Sequence, residues 1–239
     1  MKAYWWSAPH DEGKNNFGDM LTPEIFKHFG IKCDYSEDDY EVICSGSIAN
    51  KAKKNTIVLG SGILSDQIQL NAKADWRFVR GPYTRLNVIR SGGKCPEIYG
   101  DPGMLLPLLV KPEEKEYDTG IFPHYNDYKY VADNVEALGL DWFVIDPLTN
   151  SVEYTAKQVT KCRKIISSSL HGIICAHAYG IPAAWVKFSE HLPGDGVKFK
   201  DHYASLNLIA TPRPLNNPEF VVSSLNIKPL VKIFESLAN

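Results

Sequence analysis

The stretch Ile165–Pro182, IISSSLHGIICAHAYGIP, decides how the rest of the chain is read. A β-branched pair, Ile165 and Ile166, runs into Ser167, Ser168 and Ser169. Leu170-His171-Gly172 follows, and a small-residue segment closes at Gly180-Ile181-Pro182. A buried strand that turns tightly into a helix needs this order. The apolar run stops, small hydroxylated residues fill the turn, and glycine and proline end the helix. The first turn of such a helix presents free N–H groups and the positive end of the dipole, where anions bind. His171 places there an imidazole able to exchange protons near neutral pH. If the chain has a reactive centre, it is expected at this turn; the alternative for His171 is a core imidazole hydrogen-bonded across the strand–helix turn.

The same rhythm extends in both directions. Upstream, Thr119–Tyr125 reads as a strand with His124 at its end, 128–138 as a helix, Trp142–Pro147 as a strand and Val152–Thr160 as a helix; Ala183–Val186 follows as a further strand. Nearer the start, Tyr4-Trp5-Trp6 reads as a strand. The loop Asn15–Leu21 then leads into a helix with Asp19 or Thr22 as N-cap and Gly30 as stop. Val42–Ser47, Ile57–Gly62 and Phe78–Pro82 are apolar runs ending in small residues. Short apolar strands alternating with helices predict parallel sheets covered on both faces, so the fold class is α/β. Ligands of such sheets bind beyond the carboxyl ends of the strands. The stretch Leu105–Glu116, with two prolines and a charge cluster, reads as an interdomain linker. It divides the chain into two Rossmann-like domains, 1–108 and 117–212, facing a cleft. Residues 213–239 form a helical tail, and the apolar spacing of Phe220–Leu237 suits a helix packing back on the first domain.

Composition excludes several classes. The 239 residues are 44% hydrophobic and carry a net charge near −2, with basic residues scattered, so nucleic acid is not an expected partner. No run approaches a membrane span, and the start is too short for a signal segment. The five cysteines form no C-x-x-C pair; reduced thiols, no metal site and a cytoplasmic location are expected. Gly60-x-Gly62 lacks the remainder of a dinucleotide fingerprint.

Arg80 stands at a strand end before Gly81-Pro82, where a guanidinium can hold a phosphate or carboxylate in bidentate fashion; the alternative is an inter-element salt bridge, and the anion role is the one expected. Asn16 and Asp19 suit either turn and cap chemistry or ligand contact. Asp101 is expected to cap or orient backbone, and His177 to be structural. His10, His28, His191 and His202 carry no signal beyond surface or loop positions.

The order Asn16-Phe17-Gly18-Asp19, Arg80-Gly81-Pro82-x-Thr84, Gly100-Asp101-Pro102, Pro123-His124-Tyr125, Ser169-Leu170-His171-Gly172 and Lys198-Phe199-Lys200-Asp201-x-Tyr203 resembles the polysaccharide pyruvyl transferase family. The resemblance implies a GT-B-like fold. It also implies transfer of pyruvate from phosphoenolpyruvate to two hydroxyls of one sugar, forming a cyclic ketal and releasing phosphate without a further cofactor. The acceptor it implies is a sugar or lipid-linked oligosaccharide, with peripheral association at the inner face of a membrane. Relatives carrying an arginine before the Leu-His pair grip the donor with it. Here that position is Ser169, so the anion site falls to Arg80 and the backbone at Leu170–Gly172, with Lys200. His171 is the expected acid/base and His124 the second. A nucleotide-sugar glycosyltransferase and a non-catalytic sugar-binding relative are the alternatives; the first would need a ribose-binding carboxylate, and none stands out.

Overall fold

The computed structural model describes residues 1–239 except 8, 11, 12, 136–140, 190, 191, 223, 224 and 239. His191 and the end of the helix expected over 128–138 lie outside the described residues. The first half runs β1 (Lys2–Tyr4), β2 (Asn15–Asn16), α1 (Leu21–His28), β3 (Asp34–Tyr35), β4 (Val42–Ile43), β5 (Ile57–Leu59), β6 (Asp75–Phe78), α2 (Pro82–Arg90) and α3 (Leu106–Leu109). The second runs β7 (Tyr117–Phe122), α4 (Tyr125–Val135), β8 (Phe143–Val144), β9 (Leu148–Thr149), α5 (Val152–Thr160), β10 (Cys162–Ser167), α6 (Leu170–Ala178), β11 (Ala183–Trp185), α7 (Val197–Ser205) and α8 (Lys228–Ala238).

Two parallel sheets result, ordered β3-β1-β4-β5-β6 and β11-β10-β7-β8. The α/β reading with parallel sheets holds. Parallel strands must be covered on both faces, and their side chains are accordingly apolar: Val42, Ile43, Val58, Leu59, Ile165 and Ile166 are all buried. Helix α6 is buried along nearly its whole length, Leu170 to His177, which explains its lack of a polar face. It ends as its sequence predicts. Gly180 takes a left-handed φ of 65°, and the Gly180 and Ile181 amides return to the carbonyls of His177 and Ala176. Helix α1 closes on Gly30 in the same way.

Several boundaries differ from expectation. Strand β1 stops at Tyr4, leaving Trp5 and Trp6 outside it. Helix α1 starts at Leu21 with Met20 at its N-cap and no side-chain cap, because the Asp19 carboxylate takes the Asn16 amide instead. In the tail, helix begins only at Lys228; before it, Arg213 and Val221 bridge to Val186 and Ala183 at the edge of the second sheet. Between the halves, Leu105, Leu106 and Val110 are buried, and the exposed crossing is confined to 111–116.

One hydrophobic core serves both halves. Ala3, Phe17, Leu21, Phe26 and Phe78 belong to the same buried cluster as Phe122, Ile165, Ile173 and Ile174. Helix α8 packs back across the first half: the Phe234 ring stacks on Phe29 at 5.0 Å and meets Phe26 and Phe78 edge-on at 6.0 Å each. A second crossing is polar. Strand β2 pairs antiparallel with β9, and the Phe17 amide donates to Pro147 O at 2.9 Å, so the Asn16–Asp19 loop is fastened to the opposite half. The five cysteines are all free thiols. Among the described residues no helix is long and apolar enough to cross a membrane.

Candidate active site

A cavity of about 320 Å³ lies where the two halves meet. Trp6, Asn16, Asp19 and the segment Gly46–Ile48 line it from the first half; His124, Tyr125, Ser169, Leu170, His171 and Lys198 line it from the second. It sits beyond the carboxyl ends of β1, β4, β7 and β10 and at the first turns of α6 and α7. That is the expected place for a ligand of parallel sheets.

His171 stands in the first turn of α6, largely buried. Its Nε2 lies 3.2 Å from Ser45 Oγ and 3.7 Å from Asp101 Oδ2. Asp101 Oδ1 accepts from the Gly103 amide at 2.9 Å, capping the turn Pro102–Leu105, while buried Oδ2 has no hydrogen-bond partner and faces the imidazole. Burial pushes the Asp101 carboxyl up. The hydrogen-bonding capacity and charge of His171, the Arg80 charge and the Gly103 amide outweigh it, holding the carboxyl below its ordinary value. An ionised carboxylate facing Nε2 assigns the neutral ring's proton to that nitrogen, leaving Nδ1 as the free base. A carboxylate that orients an imidazole and stabilises its cation is the arrangement that general acid–base work requires. The ring packs so closely on Gly18 that a methyl there would overlap it. Gly18→Ala is expected to displace the imidazole, and a shift of the His171 ring signals in NMR checks this.

His124 differs in kind. Its Nδ1 accepts from the Asn126 amide at 3.2 Å, and its own amide donates to Ser168 Oγ at 2.9 Å. Burial first, then the charges of Lys198 and His10, push its pKa down to about 3. The ring is neutral at physiological pH, with Nε2–H left as a donor.

Lys198 was not singled out by sequence. It is buried, lines the cavity from the first turn of α7, and has no ion-pair partner among the described residues. Burial first, then Arg80, lower its pKa to about 8, with Asp19 pulling the other way. Asp19 is itself pushed up by burial against the Asn16 hydrogen bond and the nearby cationic groups. Asn16 Nδ2 donates to Asp19 Oδ2 at 2.9 Å, and both residues line the cavity.

Three expected ligand contacts are corrected. Arg80 is fully buried behind the wall and does not line the cavity; its guanidinium donates to Ser47 Oγ and Ile63 O and is ion-paired to Asp201, with Nε making no hydrogen bond. Lys200 lies two residues beyond Lys198 on α7, which turns it away by about 200°, and it faces neighbouring depressions around Asp195 instead. The Cα side of Gly172 packs against Phe122 and Ser167, where a side chain would not fit, and Gly172 is not among the residues lining the cavity, so its part is limited to its backbone amide in the first turn of α6. Ser169 and Leu170 do line it. The serines of the turn divide the work: Ser167 Oγ bonds Phe122 O and the Ser169 backbone, and Ser168 Oγ donates to Asp127 Oδ2 at 2.8 Å. Ser45 and the Asp101–His171 pairing were not legible as site features. Among the described residues no group of three or more His, Cys, Asp or Glu is arranged to hold a metal.

Parallel sheets with a cleft at their carboxyl edges make this an α/β protein whose cavity is lined by a histidine facing a buried carboxylate and by a buried lysine without an ion-pair partner among the described residues. The chain belongs to the polysaccharide pyruvyl transferase family, whose model matches residues 1–189. It is 39% identical over 166 residues to the uncharacterized protein L143 of Acanthamoeba polyphaga mimivirus, covering 66% of this chain and 57% of that protein. It is 26% identical over 230 residues to the succinoglycan biosynthesis protein ExoV of Rhizobium meliloti (strain 1021), covering 89% of this chain and 67% of that one. No solved structure matches the chain.

Proposed function

We propose that this chain transfers the pyruvyl group of phosphoenolpyruvate to two hydroxyls of one sugar in a polysaccharide precursor, forming a cyclic ketal and releasing phosphate. The observation that carries the reading is the Asp101–His171 pair on the wall of the cavity that Lys198 shares, with no ion-pair partner for that lysine among the described residues. Family membership and the similarity to a succinoglycan biosynthesis protein support it. A GT-B-like arrangement of two Rossmann-like domains, work in the cytoplasm and peripheral attachment at a membrane's inner face belong to the same reading.

In this reading Lys198 and the free amides opening α6 hold the donor's phosphate and carboxylate, taking the place of the arginine that Ser169 lacks. Protonated His171 delivers its proton to the donor's methylene carbon, leaving positive charge at C2. One sugar hydroxyl adds there, and its proton returns to His171. Phosphate leaves, the second hydroxyl closes the ketal, and that hydroxyl's proton balances the departing phosphate through Asp19. His124, kept neutral, donates Nε2–H as a fixed dipole. No cofactor or metal takes part.

The test is phosphate release on incubation with phosphoenolpyruvate and candidate sugars; no release with any acceptor, together with turnover of a nucleotide sugar, overturns the reading. Lys198→Met is expected to weaken phosphoenolpyruvate binding by about 10–100-fold, the range for losing a charge-assisted hydrogen bond. Because Lys198 loses its charge around pH 8, wild-type affinity falls as pH rises through that value. Calorimetric titration at several pH values measures both.

A further inference from the structure

We propose that Arg80 is a positioning residue of the anion site: its buried guanidinium fastens the wall that carries Ser47 to the helix that carries Lys198. The proposal takes phosphoenolpyruvate as the anion and so rests on the reading above.

The geometry assigns each nitrogen. Nη1 donates to Ser47 Oγ at 2.8 Å, and Ser47 lines the cavity. Nη2 donates to Ile63 O at 2.7 Å. Nε lies 3.3 Å from Asp201 Oδ2, with both side chains fully buried. Asp201 is held independently, its Oδ1 accepting from the Thr84 amide at 3.0 Å and its Oδ2 from Thr84 Oγ1 at 2.6 Å. It stands three residues after Lys198 on α7, on the same helix face. The guanidinium therefore joins the segment after β4, the segment after β5 and α7, which is drawn from the other half of the chain. Gly62 leaves room for this, since a methyl there would overlap the guanidinium. A fully enclosed cation with three fixed neighbours cannot reach a ligand without opening the wall. It can still act on Lys198 through its charge. The groups facing Lys198 are Arg80 after β6, Asp19 after β2 and His124 after β7, and Arg80 and Asp19 pull its ionisation in opposite directions.

The test compares phosphoenolpyruvate binding across pH in wild type, Arg80→Lys, the double variant Arg80→Met/Asp201→Asn and Lys198→Arg. The double variant removes both charges, so it does not strand a buried carboxylate. Its affinity at neutral pH is expected to fall about tenfold, with the alkaline loss of binding displaced to higher pH. Arg80→Lys keeps the charge and loses the fork, so it weakens binding while the alkaline limb stays in place. Lys198→Arg abolishes that limb. The proposal is overturned if the folded double variant keeps wild-type affinity and pH profile, or if every Arg80 variant loses binding at all pH values while Lys198→Arg behaves as wild type. The pH dependence of Lys198 acylation by an amine reagent, mapped by mass spectrometry, reads the same coupling without phosphoenolpyruvate. If wild type fails to bind phosphoenolpyruvate but the double variant still shifts this profile upward, the functional reading falls and the Arg80 anchor stands; an unshifted profile sinks the anchor.

Discussion

Replacing His171 with Asn is expected to lower phosphate release from phosphoenolpyruvate by about 10²–10⁴-fold, the usual contribution of a positioned acid–base group. The reason lies in the first turn of α6. Nε2 is hydrogen-bonded to Ser45 Oγ and faces the Asp101 carboxylate at 3.7 Å, which in this reading leaves Nδ1 as the exchangeable site. An amide at this position can satisfy Ser45 and cannot shuttle a proton at neutral pH. Donor binding should change little, because Lys198 and the α6 amides are untouched. The expected signature is therefore a collapse of kcat at nearly constant phosphoenolpyruvate affinity. Burst-phase and steady-state phosphate assays, with calorimetry for binding, separate the two effects. Turnover surviving within a factor of ten would remove His171 from the proton chemistry.

Acid is expected to unfold the protein at a pH where ordinary α/β domains still stand. His124, His177 and His202 are buried and neutral. Burial drives the first two to about 3 and about 4, and the third well below the ordinary 6.5. His177 Nδ1 lies 3.0 Å from His202 Nε2, and His177 Nε2 donates to Val221 O at 3.2 Å. That leaves buried His202 Nδ1 without a partner. The sign follows from where protons bind. The unfolded chain protonates these imidazoles below pH 6.5 and the folded chain does not, so stability is full above that value and is lost as pH falls through it. At about 1.4 kcal/mol per pKa unit, the shifts amount to roughly 5 kcal/mol for His124 and roughly 3 kcal/mol for His177, comparable with a whole domain's stability. The depressed Asp101 carboxyl adds loss in the same direction, while Asp19, pushed upward, offsets a part. Urea unfolding at pH 7 and pH 5 should show the drop, and His177→Gln/His202→Gln should reduce it, leaving the share that belongs to His124. An unchanged midpoint between the two pH values would refute the account.

What sequence could show was local. The turn at Ser169–Gly172 was legible because strand, turn and helix stop succeed one another within one stretch. The helix Val152–Thr160 and the strand Ile57–Leu59 were placed correctly for the same reason. What it could not show depended on meetings between distant segments. Arg80 at its strand end suits an anion contact or an inter-element salt bridge by local pattern; only the docking of α7 on α2, which brings Asp201 to it, decides for the salt bridge. Of the two lysines in Lys198-Phe199-Lys200, only the phase of a helix starting at Val197 tells which one faces the cavity, and the motif alone does not supply that phase. Asp101 was read as a cap, which it is; its second oxygen gains meaning from His171, which arrives on α6. Gly18 looked like loop chemistry and is in fact the floor beneath that imidazole.

The stacking of Phe234 on Phe29 bears on the order in which the protein is made. The aromatic face built by Phe26, Phe29 and Phe78 is complete in sequence early in translation, yet its cover is contributed by α8. Until those residues emerge from the ribosome, that face stays open to solvent and to other nascent chains. The first half is thus a poor candidate for vectorial folding, and the growing polypeptide presents a client surface for chaperones until α8 is made.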